Sequence, residues 1–280
     1  MKKIVFFNTK GGTGKSTICF NYGWYLAEYC KKRVLFLDFD PQVSLTQSFL
    51  KISSIPEDKC IEKLIVNFVQ KQEFNIDDYI IKVNDYIDLI PSSNNLSLLD
   101  EYLTEYLLNK VHLEKILYTS DSRNSIIKDA LDKYIDPERY DYVLIDSQPN
   151  YSLLSASSII FTQNIVLVLK PEIFSFLDIK YLTRIVKNLE AKFEVKINII
   201  GLLINAYEKR KKTSETIVKR LQQDYSKDFH IIQQKIRYLS YYQLSIDQNN
   251  EPVFLTYPNS LASLDLLDAF GELDKLIEIT

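Results

Sequence analysis

Lys10-Gly11-Gly12-Thr13-Gly14-Lys15-Ser16-Thr17 decides how this chain folds. The stretch follows the apolar run Ile4-Val5-Phe6-Phe7 and precedes Ile18, Tyr22, Tyr25, Leu26 and Tyr29, which recur at helical spacing. The chain has six glycines in 280 residues, and three of them fall within positions 11 to 14. Glycine admits positive φ and close approach of the main chain to a ligand, so successive N–H groups can converge on one anion at a helix N-terminus. Lys15 is then placed to reach β- and γ-phosphates, and Ser16 to offer a hydroxyl to Mg2+.

Working outward, Arg33-Val34-Leu35-Phe36-Leu37-Asp38 reads as a strand buried on both faces of a parallel sheet, closing a βαβ unit. Asp40 lies just past that strand, at the edge where open α/β sheets bind ligands. Tyr140 to Asp146 is a second apolar strand ending in a carboxylate, so Asp146 is expected to face Ser16 across the metal. Further strand and helix units read as Ile165–Leu169 with 174–190, then Ile197–Asn205 with 213–225. Between them, 57–71 and 97–117 have helical spacing, and Tyr86–Ile90 reads as a strand; the rest of 50–140 shows no assignable chemistry. Residues 1–280 are therefore expected to form a single α/β domain, a mainly parallel twisted sheet flanked by helices, with no appended DNA-binding domain.

Composition narrows the classes. With 46% hydrophobic and 25% charged residues the chain is an ordinary globular one. No run approaches 18 uncharged apolar residues and no signal-peptide core opens the chain, which points to the cytoplasm. Cys19, Cys30 and Cys60 lack metal or redox spacing and read as reduced packing residues. His112 reads as a surface or packing residue. A net charge of −3 conceals two opposed segments: nine Lys/Arg against three Asp/Glu over 209–237, and one lysine against seven acids over 238–280.

The first position of the ordinary phosphate loop is Thr9, followed at once by Lys10. This KGGTGKST form resembles the deviant Walker A loop of the ParA/MinD superfamily of ATPases, most closely ParA (Soj-like) partition ATPases. LDFDPQ over 37–42, IDLIPSSNNL over 87–96, the strand ending at Asp146 and Lys170-Pro171-Glu172 resemble later family segments. Val43-Ser44 stands where Gly-Asn is usual, and Ser147-Gln148-Pro149 where two prolines are usual.

The resemblance implies a P-loop ATPase with ATP and Mg2+ as cofactors. It implies that Lys10 reaches the partner's phosphates in a sandwich homodimer, that Asp40 orients water, and that Asn205 contacts adenine. It further implies nonspecific double-stranded DNA bound through Lys209, Arg210, Lys211, Lys212, Lys219, Arg220, Lys235 and Arg237, a ParB-like centromere-binding partner, and a nucleoid-associated location. The absence of cysteines after residue 60 argues against the iron–sulfur branch. The acidic tail 266–278 lacks the basic face of a membrane anchor and reads as a packed helix. Two alternatives remain: a MinD-like or other cargo-positioning or regulatory ATPase, and a nucleotide-gated DNA-binding switch with little turnover.

Overall fold

In the computed structural model, which describes residues 1–114 and 122–279, seven strands form one sheet in the order β3-β4-β2-β5-β1-β6-β7. The strands are β1 (Lys2–Phe7), β2 (Val34–Phe39), β3 (Ile81–Lys82), β4 (Ile87–Ile90), β5 (Tyr142–Ser147), β6 (Asn164–Leu169) and β7 (Asn198–Ile204). All neighbours run parallel except the short edge strand β3, which pairs antiparallel with β4. The expected α/β fold is present.

Alternate residues of each strand feed two cores, because a pleated strand points successive side chains to opposite faces. Val5, Phe7, Leu35, Leu37, Val143 and Ile145 face one side. There they meet α3 (Ile61–Val69), α4 (Leu99–Glu114), α5 (Ser122–Tyr134), α6 (Leu153–Thr162), α7 (Ser175–Phe193) and α8 (Lys212–Tyr225). Ile4, Phe6, Val34, Phe36, Tyr142 and Leu144 face the other side. That side is covered by α1 (Lys15–Glu28), α2 (Ser44–Phe49), α9 (Tyr241–Asn249), α10 (Val253–Thr256) and α11 (Leu261–Ile279). The acidic tail is thus a packed helix, with Ala262, Leu266, Ala269, Phe270, Leu273 and Ile277 buried.

The helix expected over 57–71 is shorter, because a 3-10 turn at Glu57–Lys59 precedes α3. That expected over 97–117 is α4 as far as Glu114; residues 115–117 and the His112 side chain lie outside the described part. Helices α2, α5, α6, α9 and α10 and strand β3 have no counterpart in the sequence reading. The three cysteines are free, with Cys19 and Cys60 buried and Cys30 half-buried. Among the described residues no helix is long and apolar enough to cross a membrane.

Candidate nucleotide site

The parallel register brings the ends of β1, β2, β5, β6 and β7 to one edge, where the phosphate loop, Asp40, Asp146 and Asn205 stand. Asn8 fixes the start of the loop: its amide donates to the Val168 carbonyl at 2.7 Å and its Oδ1 accepts the Lys10 N–H at 2.9 Å. Gly12 (φ +69°) and Gly14 (φ +87°) are left-handed, a region open to glycine at little steric cost. Gly11 carries no such requirement, and space beside it is open. Gly14 caps α1 without a side-chain bond, so the first amides of a 14-residue helix remain available to an anion. The Thr13 hydroxyl oxygen, buried in the same loop, has no hydrogen-bond partner among the described residues.

Lys15 is 5% exposed and lies with its ammonium 3.4 Å from the Lys10 carbonyl. Burial pulls its pKa below the usual lysine range, while the charges of Asp146 and Asp40 pull it back. Asp146 is fully buried and pairs in register with Asp38 on β2 and Phe6 on β1. Burial, reinforced by Asp38, pushes its pKa well above the carboxylate range, opposed by Lys15 and by the Ser16 hydroxyl. Neither Asp146 oxygen has a hydrogen-bond partner of good geometry among the described residues. A buried carboxylate with both oxygens orphaned is costly unless a cation answers it. This donor set suits Mg2+, which takes one or two protein oxygens and fills its octahedron with phosphate and water.

On β2, Asp38 is also fully buried and its pKa is pushed up to about 6, by burial first, against the three N–H and O–H groups that hold it. Asp40, 7% exposed, accepts the Gln42 N–H on Oδ1 at 2.9 Å. Ser147, at the position of a missing proline, has a structural use: its hydroxyl donates to the Phe6 carbonyl at 2.8 Å. Gln148 bonds to Ser152, the N-cap of α6.

A cavity of about 410 Å3 opens beside the loop, lined by Gly12, Gly14, Thr17, Asn205, Arg237 and Tyr238 among others. Asn205 lines this cavity, and its amide nitrogen donates to the Thr13 carbonyl at 2.8 Å. The side chain therefore braces the phosphate loop, a role absent from the sequence reading. A larger cavity, about 860 Å3 and walled by Phe68, Phe74, Tyr106 and Tyr134, shares no lining residue with the loop.

The basic residues separate. Lys209, Arg210 and Lys211 are exposed just before α8 and Lys212 at its start, with Lys211 paired to Glu208 at 3.4 Å. Lys219 pairs with Glu215 at 2.8 Å and Arg220 with Asp224 at 3.5 Å, both one turn apart, and Lys235 is half-buried. Arg237, half-buried at the cavity, chelates the buried Asp265 through Nε at 2.7 Å and a terminal nitrogen at 2.6 Å.

Lys10 also has a partner within its own chain, Asp178 of α7 at 3.0 Å, and sits 5.0 Å from the centre of the Phe174 ring. Beside it, Ile173, Phe174, Leu177 and Tyr181 are all exposed. Ile173, Leu177 and Tyr181 recur every fourth residue, with Phe174 beside the first. Asp178 had no sequence signal at all.

Comparison with known proteins bears on the family and the fold. A model of an AAA domain family matches residues 1–199. A ParA family protein of Chlamydia trachomatis is 28% identical over 98% of this chain and 97% of its own. The chain belongs to the ParA/MinD family of ATPases. An uncharacterized protein of Mycobacterium tuberculosis is 30% identical over 96% of this chain and 80% of its own. The fold of this ParA/MinD-type chain is also that of McdA from Cyanothece, solved with ATP in an alanine-substituted form. That structure has a TM-score of 0.79 and 22% identity and covers 100% of this chain and 97% of that one.

Proposed function

We propose that this protein is a partition ATPase, acting in plasmid or chromosome segregation: Mg2+-ATP closes a sandwich homodimer, the dimer holds nonspecific DNA, and hydrolysis stimulated by a ParB-like partner releases it. The observation that carries the reading is the placement of Lys10 beside an exposed apolar stripe, Ile173, Phe174, Leu177 and Tyr181, at the mouth of the phosphate loop. Monomeric soluble proteins rarely leave such a patch uncovered, and a second copy docked here brings its own Lys10 to the facing phosphates. A cation supplied in trans couples hydrolysis to dimerisation.

The division of labour follows from the site. Amides of residues 10–17 and Lys15 hold the phosphates, Ser16 and Asp146 hold Mg2+, and Asp40 orients the attacking water. The metal, when bound, neutralises charge on the β- and γ-oxygens. Lys209 to Lys212, with Lys219, Arg220 and Lys235, offer cations to a phosphate backbone, which carries no sequence preference.

Gel shift on unrelated duplexes with ATP, ADP or no nucleotide tests the reading. Binding that needs ATP and falls steeply with salt is the expected result; binding indifferent to both overturns it. The ion pairs that occupy Lys219 and Arg220 favour a second reading, a cargo-positioning ATPase that does not use DNA as its matrix. ATP-dependent dimers that bind no duplex even at low salt select that reading.

A further inference from the structure

Between β2 and α2 the chain makes a turn that sterics disfavour. Val43 has φ +52° and ψ +27°, a left-handed conformation in which a β-branched residue is a genuine outlier. The turn also carries Asp40, so whatever holds it decides where the Asp40 carboxyl points.

Asp38 occupies the α1 side of β2, in register with Asp146, where strand geometry alone makes it a second candidate for the metal. Both its oxygens are engaged within the fold. Oδ1 accepts the Asp40 N–H at 3.0 Å, and Oδ2 accepts both the Thr46 N–H at 2.8 Å and the Thr46 hydroxyl at 2.7 Å. The Thr46 oxygen accepts the Ser92 N–H at 3.1 Å, and the Ser92 hydroxyl donates back to the Asp40 carbonyl at 3.2 Å. That carbonyl also accepts the Val43 N–H at 2.8 Å. Both peptide groups flanking the Asp40 side chain are thereby tied down, one to β2 and one to the loop after β4.

We propose that Asp38, Thr46 and Ser92 form the positioning unit of Asp40, clamping the strained turn over residues 40–46 so that the Asp40 carboxyl stays at the phosphate site. The inference rests on the water-orienting role of Asp40. It also accounts for Val43: where a glycine would accept the turn freely, this chain imposes it through side-chain bonds. An asparagine at 38 keeps one acceptor oxygen for three donors and turns an NH2 toward the others, and valine at 46 removes the hydroxyl that joins Asp38 to Ser92.

The test is single-turnover hydrolysis of Mg2+-ATP by the full chain, which reads slow rates, alongside binding of a fluorescent ATP analogue. Asp38→Asn and Thr46→Val are expected to lower the hydrolysis rate about tenfold or more with affinity held within about twofold, since a misplaced positioning group affects rate before binding. Thr46→Ser retains the hydroxyl and keeps the parental rate. Val43→Gly placed on Thr46→Val recovers rate, because the relaxed turn no longer needs the clamp. Thr46→Val at the parental rate, Thr46→Ser as impaired as Thr46→Val, or affinity lost in step with rate each overturns the proposal. Asp40→Ala separates the two levels. If it hydrolyses at the parental rate, the water-orienting role itself fails; if it is inactive while Thr46→Val is not, only the positioning unit fails.

Discussion

Gly14→Ala is the perturbation whose size the structure lets us work out. At φ +87° an alanine pays the left-handed penalty, about 1–2 kcal/mol. Its Cβ would also stand 2.2 Å from the Asn205 amide nitrogen, so Asn205 must move and its bond to the Thr13 carbonyl breaks. That loss adds about 1 kcal/mol, for a total of about 2–3 kcal/mol. Asn205→Ala alone removes the same bond and costs about 1 kcal/mol or somewhat more, because a buried carbonyl loses its donor. In the double variant the bond is counted once and the alanine methyl meets open space, so the combined loss falls short of the sum by about 1 kcal/mol. Urea unfolding of the parent, both single variants and the double variant measures this coupling directly. Additivity within about 0.3 kcal/mol refutes the claim that Asn205 braces the loop through Gly14.

Three further outcomes are expected. Gly23→Ala, in the middle of α1, destabilises by about 1–3 kcal/mol despite the better helix propensity of alanine, because the new methyl would stand 2.0 Å from the Phe36 ring; urea unfolding checks it, and a more stable variant refutes the packing. Mg2+ binding to the ATP complex weakens as pH falls, since burial raises the Asp146 pKa and the metal must displace any proton there; calorimetry in buffers of different ionisation enthalpy reads the proton release, and Asp146→Asn abolishes it. Leu177→Asp, on the exposed apolar stripe, leaves the monomer as stable as the parent but prevents ATP-dependent dimers in size-exclusion chromatography; dimers that persist remove this face from the interface.

The phosphate loop and its two carboxylate strands were legible because their signals are local. Glycine at φ +69° and +87°, a lysine and a hydroxyl next to them, and apolar runs ending in Asp40 and Asp146 all follow from backbone sterics and strand burial within a few residues. Helices α5 and α6 escaped notice for the opposite reason. The polar run of α5 buries only Asn124, Ile127, Ala130 and Leu131, and α6 is buried almost all round, its three serines bonding back to nearby backbone carbonyls. Neither shows one clean apolar face.

By itself the sequence determined which groups come to the sheet edge: a glycine loop carrying Lys15 and Ser16, and apolar strands that lead to Asp40 and Asp146. Tertiary structure decided how charges are spent. Arg237 and Lys10 read as free cations along the chain, yet each finds a buried acid, Asp265 and Asp178, from a helix far away in sequence. Asp38 reads only as the end of an apolar strand, yet Thr46 and the Asp40 N–H occupy both its oxygens. Pairings of this kind depend on distances of a few ångströms between segments that only the folded sheet brings together, and no local pattern records them.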